Sequence, residues 1–155
     1  TERLYAAISS RAFEFQPVTV THGLGALAAI GNFVAINSAL EVDLFGQAYA
    51  EMSSRGFASG PGGASDFARG AKAGGGLRII ALPSVARGAS RIVAPGAGRG
   101  PVSLGRMDTD LVVTEHGAAD LRGLGHDARA KALMQVAHAD HRENLERAWA
   151  SIHRR

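Results

Sequence analysis

Apolar residues along the chain recur at two different spacings, one typical of helices and one typical of strands. Helical spacing predicts helices over Glu2–Ser10, Gly23–Ile30, Asp127–Ala137 and His141–Ile152, and a further helix that starts near Asp66 and ends at Gly74-Gly75-Gly76. Strand-like spacing predicts strands over Phe13–Gln16, Val18–Thr21, Phe33–Asn37, Ala39–Leu44, Leu77–Leu82, Ser90–Ala94 and Leu111–Thr114. Because strands and helices intermix, the predicted fold class is α/β.

Two of these segments carry more specific information. Leu77–Leu82 is a nearly continuous apolar run that ends at Pro83, the pattern of a strand buried on both faces of a parallel or mixed sheet. The turn at Phe45-Gly46 separates the strand before it from Gln47–Met52, which predicts a hairpin. An open mixed sheet with flanking helices is therefore expected.

A long uncharged window lies near the start of the chain. No Asp, Glu, Lys or Arg occurs from Gln16 to Leu40. Pro17, His22, Asn32 and the glycines of this window would leave polar groups and helix breaks in hydrocarbon, so a membrane span is not indicated. The window is predicted to form buried core, and no membrane partner is expected.

Composition narrows the class of protein. A length of 155 residues suits one domain, here 1–155, and 46% apolar with 20% charged residues is typical of a globular chain. The absence of cysteine excludes disulfides, thiolate catalysis and Cys-ligated metals. The net charge of +3 favours anionic partners, but the arginines are scattered without interleaved aromatics, so nucleic acid is not predicted as a partner.

The segment Gly23–Ala28 has the G-x-G-x-x-A pattern of a dinucleotide-binding turn. It follows the predicted strand Val18–Thr21 and precedes Glu41, which could bind a ribose hydroxyl. Only about eight residues separate Gly25 from the next strand at Phe33, whereas a crossover between parallel strands needs at least about 10–12. An NAD-binding domain is therefore a weak alternative.

A second glycine-rich segment, Ser59–Phe67, leads from a predicted loop into a helix. Gly56, Gly60, Gly62 and Gly63 of the predicted loop Ser53–Gly63 leave it free to take left-handed dihedral angles. The amides of consecutive glycines could converge with the helix N-terminus on a phosphate or an oxyanion. The segment lacks the Gly-Lys-Ser/Thr ending of a P-loop, so ATP hydrolysis is not predicted. The alternative is a tight connection in which Asp66 is an N-terminal helix charge.

Other candidate residues give weaker signals. His138 and His141 are three residues apart, but Asp140 between them is expected to cap a helix, and no metal site is predicted. No G-x-S-x-G motif occurs, so a serine hydrolase is not supported. Arg87, with Gly88, follows the buried strand and is either an anion contact or an exposed turn residue.

Several long motifs in one order resemble a known family. They are FVAINSALEVDL at 33–44, SGPGGASDFARGA at 59–71, IIALPSVARG at 79–88 followed by SRIV, VVTEHGAADLRG at 112–123 and AHADHRENL at 137–145. From Thr1 to about Leu145 the chain resembles the C-terminal domain of the acetyl-CoA hydrolase/CoA-transferase family, which includes the 4-hydroxybutyrate and acetate CoA-transferases.

The resemblance implies an activity as well as a fold. It implies an open α/β domain of the NagB/RpiA/CoA-transferase type that pairs with an N-terminal domain, with acyl-CoA bound between the two. A glutamate of the family attacks the acyl-CoA, and a glutamyl-CoA thioester forms on the way to a carboxylate or to water. That glutamate is expected upstream of Thr1, so no catalytic residue is expected in this chain, which we interpret as part of a longer protein.

The resemblance also implies a set of binding residues. Gly63 and Gly62 match the position where backbone amides approach the thioester, and Ser59, Leu40 and Arg87 match CoA-contacting positions. CoA and acyl-CoA are expected as substrates, with no permanently bound cofactor, and a cytoplasmic location and a homo-oligomer are expected. An apolar surface patch is predicted where the missing domain would pack. The rival hypothesis is a non-catalytic binding or assembly module of the same fold.

Overall fold

The computed structural model describes residues 1–10 and 13–152. The helices are α1 (Glu2–Ala7), α2 (Val18–Thr21), α3 (Leu24–Ala28), α4 (Ala64–Ala73), α5 (His126–Gln135) and α6 (Ala139–Ile152). The strands are β1 (Val34–Ser38), β2 (Glu41–Asp43), β3 (Ala48–Tyr49), β4 (Met52–Ser53), β5 (Gly56–Phe57), β6 (Leu77–Ala81), β7 (Val85–Ala86), β8 (Ala89–Ser90), β9 (Ile92–Val93), β10 (Leu111–Thr114) and β11 (Gly117–Asp120).

The main sheet has four strands in the order β1-β6-β10-β11. Strand β6 runs parallel to both β1 and β10, while β10 and β11 are antiparallel. The apolar run of β6 therefore lies inside a mixed sheet, as its sequence predicted. The antiparallel strand β11 was not predicted, because its sequence GAAD has neither β-branched residues nor a strand-like alternation.

A smaller sheet contains the predicted hairpin. Strands β2 and β3 pair antiparallel around the Phe45-Gly46 turn, and β9 joins β2 in parallel. Gly46 has a φ of 85°, so the turn requires a residue that tolerates the left-handed region. The hairpin prediction is confirmed.

A buried carboxylate fixes the turn of this hairpin. Both oxygens of Asp43, which is fully buried, accept hydrogen bonds from the backbone N–H groups of Phe45, Gln47 and Gly96 at 3.0 Å. The Tyr49 hydroxyl also donates to Asp43 at 3.0 Å, and burial together with the Asp43 charge raises the pKa of Tyr49 to about 12. Buried carboxylates are stable only with such partners, so Asp43 has a structural role.

The two faces of the main sheet differ in burial. On one face, Ile80, Val112 and Ala119 are buried in the core with residues of α4 and α5. The opposite face, which we call the bare face, consists of Val34, Ile36, Leu77, Ile79, Leu111 and Val113. Its side chains are half-buried on the inner strands and exposed on β1, where Ile36 is 64% exposed.

The expectation that β6 is buried on both faces is therefore wrong for the described residues. The apolar run fits burial on both sides, but in the described chain only one face has a covering layer. A parallel sheet is normally covered on both faces.

The uncharged window also differs from its prediction. Val18–Thr21 is helix α2 rather than a strand, and Phe13–Gln16 has no regular secondary structure. Val18, Val20 and Leu24 are more than half exposed, so this part of the window is not buried core. Short β-branched segments form strands only where a neighbouring strand supplies hydrogen bonds, and none pairs here.

The other helices agree with their sequence patterns, with differences at the ends. Helix α3 lies within the predicted Gly23–Ile30, and α4 ends at the C-cap Gly74. Helix α6 begins at Ala139, so Asp140 lies in its first turn rather than at the N-cap position. Ends of helices are the least certain part of a sequence-based prediction because fraying and capping shift them.

Candidate functional site

The glycine-rich segment is an open loop between β5 and α4. A Cβ atom added at Gly60 or Gly62 would meet no atom within 4 Å, so the backbone there faces open space. Gly63 has a φ of −77° and precedes the first residue of α4 without a side-chain cap. Of the four loop glycines that are free to take left-handed dihedral angles, only Gly56 has a positive φ, at 102°.

The value of glycine in this loop is therefore the missing side chain rather than the unusual dihedral angle. Among the residues that the structure describes, the backbone N–H groups of Gly62 and Gly63 donate no hydrogen bond. The Gly63 carbonyl accepts from Phe67 N at 3.0 Å as the first bond of helix α4. Two free amides beside the N-terminus of a ten-residue helix form a positive local field suited to an oxyanion.

The loop borders a cavity of about 440 Å³, which we call the loop cavity. It is lined by Asn37, Ala50, Glu51, Ser59, Gly60, Pro61, Gly62, Gly63, Ala64, Ser65, Val102 and Ser103. Polar contacts brace its wall: Ser59 Oγ donates to the Ala50 carbonyl at 3.2 Å, and Ser103 Oγ donates to Glu51 Oε1 at 3.0 Å. The loop is thereby tied to the chain just after β3.

A second cavity of about 510 Å³, which we call the arginine cavity, holds the other two predicted residues. It is lined by Leu40, Glu41, Ser53, Ser54, Arg55, Ala86, Arg87, Ala89, Arg91 and Arg99. The Glu41 carboxylate lies 3.5 Å from Arg99 Nε and 4.0 Å from Arg91 Nη1. Four guanidinium groups against one carboxylate make this cavity positive, which suits an anionic ligand.

Arg87 occupies an unusual backbone position at the rim of this cavity. It forms the turn between β7 and β8 together with Gly88, and the two residues have φ values of 54° and 75°. Positive φ at both central residues is the pattern of a tight hairpin turn that normally favours Asn-Gly. Arg87 is exposed and makes no ion pair within the described part of the chain.

The five predicted binding residues thus fall into two cavities. Ser59, Gly62 and Gly63 line the loop cavity, and Leu40 and Arg87 line the arginine cavity. The segment 50–55 contributes to both, since Ala50 and Glu51 line the first while 53–55 line the second. The structure does not bring all five residues together in a single pocket.

One residue near the loop was missed by the sequence analysis. A Cβ atom at Gly63 would lie 2.6 Å from Nε2 of His22, and the His22 ring stacks against Phe67 with centroids 4.6 Å apart. His22 therefore packs directly behind the glycine loop. Its only sequence signal was that it is the one titratable residue in the uncharged window, where it counted merely as a polar group.

Glu115 joins the carboxyl ends of β6 and β10. Its carboxylate accepts from Ser84 N at 2.9 Å and from Ser84 Oγ at 2.5 Å. These hydrogen bonds from Ser84 lower the pKa of Glu115 to about 2. Glu115 is exposed, and it is held as a carboxylate by local partners rather than by burial.

Three histidines cluster beyond this point without forming a metal site. The rings of His116 and His138 lie 5.5 Å apart, and those of His138 and His141 lie 6.1 Å apart. Within residues 1–10 and 13–152, no three His, Cys, Asp or Glu side chains are arranged to hold a metal ion. Over the same residues, no helix has the length and apolarity needed to cross a membrane.

The dinucleotide interpretation of Gly23–Ala28 does not fit the geometry. The preceding segment Val18–Thr21 is a helix, so the strand-to-helix turn that would bind a pyrophosphate is absent there. Glu41 is buried and engaged by Arg91 and Arg99 instead of being available to a ribose.

Comparison with known proteins places the chain in a family. The acetyl-CoA hydrolase/transferase C-terminal domain matches residues 1–149. The chain is 39% identical to succinyl-CoA:cyclohexane-1-carboxylate CoA transferase of Geobacter metallireducens, over 99% of this chain and 36% of that protein. It is 44% identical to 4-hydroxybutyrate coenzyme A transferase of Clostridium kluyveri, over 74% of this chain and 27% of that protein.

Solved structures give the same result. RipA from Yersinia pestis superposes with a TM-score of 0.85 at 36% identity, over 99% of this chain and 34% of that one. The 4-hydroxybutyrate CoA-transferase of Porphyromonas gingivalis has a TM-score of 0.76 at 36% identity, over 97% of this chain and 35% of that one.

The chain therefore belongs to the acetyl-CoA hydrolase/transferase family and corresponds to its C-terminal domain. The predicted fold class, an open mixed sheet with flanking helices of the CoA-transferase type, is confirmed. The chain spans about a third of the length of the first relatives it matches.

Proposed function

We propose that this domain binds the CoA portion of an acyl-CoA for a CoA-transferase or acyl-CoA hydrolase. The observation that carries the proposal is the pair of free amides at Gly62 and Gly63, two residues that line the loop cavity next to a helix N-terminus. Attack on a thioester carbonyl places negative charge on its oxygen, and preorganised N–H donors stabilise that charge. Membership of the family supplies the substrate class.

The two cavities would bind chemically different parts of the proposed ligand. The loop cavity would receive the thioester end, where Ser59, Gly62 and Gly63 lie. The arginine cavity would receive a phosphate-bearing part of CoA, with Leu40 against its apolar atoms and Arg87 as an unpaired cation at the rim. Arginine suits phosphate because its planar guanidinium donates in pairs.

The proposed nucleophile is a glutamate carboxylate outside this chain, which forms a glutamyl-CoA thioester before a carboxylate acceptor or water completes the reaction. Glu41 is paired with two arginines, and Glu115 is held by Ser84, so neither is placed as an attacking group. The whole protein would combine 1–155 with an N-terminal domain that carries the glutamate. The cytoplasm is the proposed location, and this part of the proposal rests on the family resemblance alone.

The bare face is the proposed contact for that N-terminal domain. Val34 is 45% exposed and Ile36 is 64% exposed on a sheet that would normally be covered on both sides. The matched relatives are about three times as long, so each contains further chain that could provide the cover. In the isolated chain, the same face is the proposed route to a homo-oligomer.

The amide hypothesis is tested with Gly62→Ala. A methyl group at Gly62 would enter open space without touching the protein, so the fold should keep its stability while CoA binding weakens by about tenfold through loss of access to the amides. Gly31→Ala is the matched control, because a Cβ there also meets no atom within 4 Å and Gly31 lines neither cavity. Titration calorimetry with CoA would measure both variants.

Equal CoA affinity in both variants would contradict the proposed role of the loop. A second measurement tests the missing nucleophile: the 155-residue chain alone should not transfer CoA from acetyl-CoA to a carboxylate. Ordinary turnover by this chain would place the nucleophile within it. If the longer protein that includes the sequence upstream of Thr1 binds CoA but does not turn it over, the rival hypothesis of a non-catalytic binding module would be favoured.

The proposed contact is tested with Ile36→Ser. This change should leave the isolated chain folded and reduce its self-association in sedimentation experiments, because the residue contacts little within the chain. A chain that is already a monomer, with no change in the variant, would contradict the proposed role of the bare face in assembly.

A further inference from the structure

A third cavity, of about 420 Å³, lies at the opposite end of the parallel strands from the proposed CoA site. Its wall includes Arg78 at the start of β6 and Thr109 and Asp110 just before β10, so it is at the amino ends of these strands. The loop and arginine cavities lie beyond the carboxyl ends of β1 and β6. We call this third space the basal cavity.

Positive charge is concentrated in the basal cavity. Its lining contains Lys72, Arg78, Arg106, Arg122 and Arg129, and Asp110 is the single carboxylate among the lining residues. Asp110 pairs with Arg78 through Nε at 2.9 Å and through Nη2, and Asp120 pairs with Arg122 at 2.9 Å.

The other three cations form no direct ion pair with a described residue. Among residues 1–10 and 13–152, no carboxylate lies within 4.0 Å of the charged nitrogens of Lys72, Arg106 or Arg129. Lys72 donates to the Met107 carbonyl at 3.2 Å, but this acceptor is neutral and does not balance the charge of Lys72. The described residues likewise offer the Arg106 guanidinium no hydrogen-bond partner, so its five donors remain available.

Arg129 is held in place close to Arg106. Its guanidinium donates to the carbonyls of Arg106 and Leu121, each at 3.1 Å, which fixes the side chain against the cavity wall. Burial, and next the positive charge of Arg106, lower the pKa of Arg129. Two guanidinium groups that repel each other across a half-enclosed space would be stabilised by an anion between them.

An independent feature of the same wall is a buried hydroxyl. Thr109 is 3% exposed, and its Oγ1 atom makes no hydrogen bond to any residue that the structure describes. Buried hydroxyl groups in proteins almost always have a partner, so an unpaired one in a cavity wall marks a place where a polar ligand is expected.

We propose that the basal cavity binds a phosphoryl dianion. A tetrahedral oxyanion with two charges can accept from the free Arg106 guanidinium and from Lys72, and it has an oxygen left for the Thr109 hydroxyl. The cavity is larger than a single phosphate ion, so both inorganic phosphate and a phosphate monoester fit the chemistry. The site is independent of the proposed CoA site, because the two lie at opposite ends of the strands.

The experiment uses inorganic phosphate and glycerol 3-phosphate as probes, each titrated into the 155-residue chain in phosphate-free buffer. Phosphate should raise Tm, whereas sodium chloride at equal ionic strength should not. Arg106→Gln should weaken phosphate binding by about tenfold, because one charged donor pair is lost. Arg147→Gln is the matched control, since it removes the same charge from an exposed site on α6 outside the cavity.

Thr109→Val separates binding from structure. Because the hydroxyl has no partner, the variant should keep or raise its Tm without phosphate and bind phosphate a few-fold more weakly. Equal phosphate affinity in Arg106→Gln and Arg147→Gln, or an equal Tm shift with chloride, would overturn the proposal. Tighter binding of glycerol 3-phosphate would identify a monoester as the ligand, and tighter binding of phosphate would identify the free ion.

A competition measurement keeps this proposal distinct from the proposed function. The arginine cavity could also bind phosphate, so the quantity to follow is the part of phosphate binding that Arg106→Gln removes. Saturating CoA should leave this part unchanged, and its displacement by CoA would overturn the independent site. The effect of Gly62→Ala on CoA binding is a separate measurement that tests only the proposed function.

Discussion

The two faces of the main sheet are made by the same four strands, yet they have different surroundings. On the covered face, Ile80 and Val112 are almost fully buried beneath α4 and α5, while on the bare face Ile36 is 64% exposed. Both faces have apolar side chains, so hydrophobicity alone does not distinguish them. One face therefore stabilises this chain, and the other leaves an apolar surface available for contact with something outside it.

The largest expected effect tests this comparison directly. Ile80→Ala should lower the free energy of unfolding by about 2–5 kcal/mol, because it leaves a cavity in a packed core. Ile36→Ala removes the same atoms from the bare face and should change the free energy of unfolding of the monomer by about 0.5 kcal/mol or less. Urea unfolding of the two variants, at a concentration at which sedimentation shows a monomer, measures the contrast. Equal losses there would mean that the bare face is covered within the monomer.

A second test concerns the helix layer over the covered face. Gly70 of α4 packs against α3, where an added Cβ would lie 2.3 Å from Leu27 Cβ. Gly70→Ala should therefore destabilise the chain by about 1–3 kcal/mol, since Leu27 Cβ cannot rotate away.

Gly25→Ala is the control for this test. A Cβ at Gly25 in α3 meets no atom within 4 Å, so the higher helix propensity of alanine should stabilise the chain by up to about 1 kcal/mol. Thermal unfolding would show opposite shifts in Tm. Shifts of the same sign would disprove the close approach of the two helices.

A smaller effect is expected in the second sheet at Tyr49. Tyr49→Phe removes one of the donors to Asp43 and should cost about 0.5–1.5 kcal/mol near neutral pH. The pKa of Tyr49 is raised to about 12, so its contribution is complete below the ordinary value of 10.0 and is lost as the pH rises through about 12. Ultraviolet titration of the parent chain should show a tyrosinate step from Tyr49 near that pH, and this step should be missing from the variant, in which Tyr5 is the remaining tyrosine.

The smallest effect is expected at the contact between the buried Ser84 and the exposed Glu115. The pKa of Glu115 is lowered to about 2, so the contact stabilises the fold above the ordinary value of 4.5 and is lost as the pH falls from there towards 2. Ser84→Ala should raise the pKa of Glu115 and flatten the acid branch of the stability curve. Nuclear magnetic resonance titration of the Glu115 carboxyl would test this, and an unchanged pKa would rule out the Ser84 hydroxyl as a cause of the lowered value.

Local patterns were sufficient for many elements. Helices α5 and α6, strands β6 and β10 and the hairpin at Phe45-Gly46 follow from spacing and turn residues within short windows. The prediction of a strand at Val18–Thr21 was wrong, because β-branched residues form a strand only when a neighbouring strand pairs with them. The glycine spacing predicted an open loop before α4, and its role at Gly62 and Gly63 stays a prediction. His22, which packs behind the loop, lies in a part of the sequence that gave no signal of this contact.

The kinds of most elements, their order and the family could be predicted from the sequence, because they depend on residues close together in the chain or on long motifs. Tertiary structure decided which face of the sheet is buried, since that depends on which layers pack against it. It also decided where charge gathers: Lys72, Arg106 and Arg129 are far apart in sequence and share one cavity. A cavity of this kind arises from how distant segments fold together, and no local pattern records it.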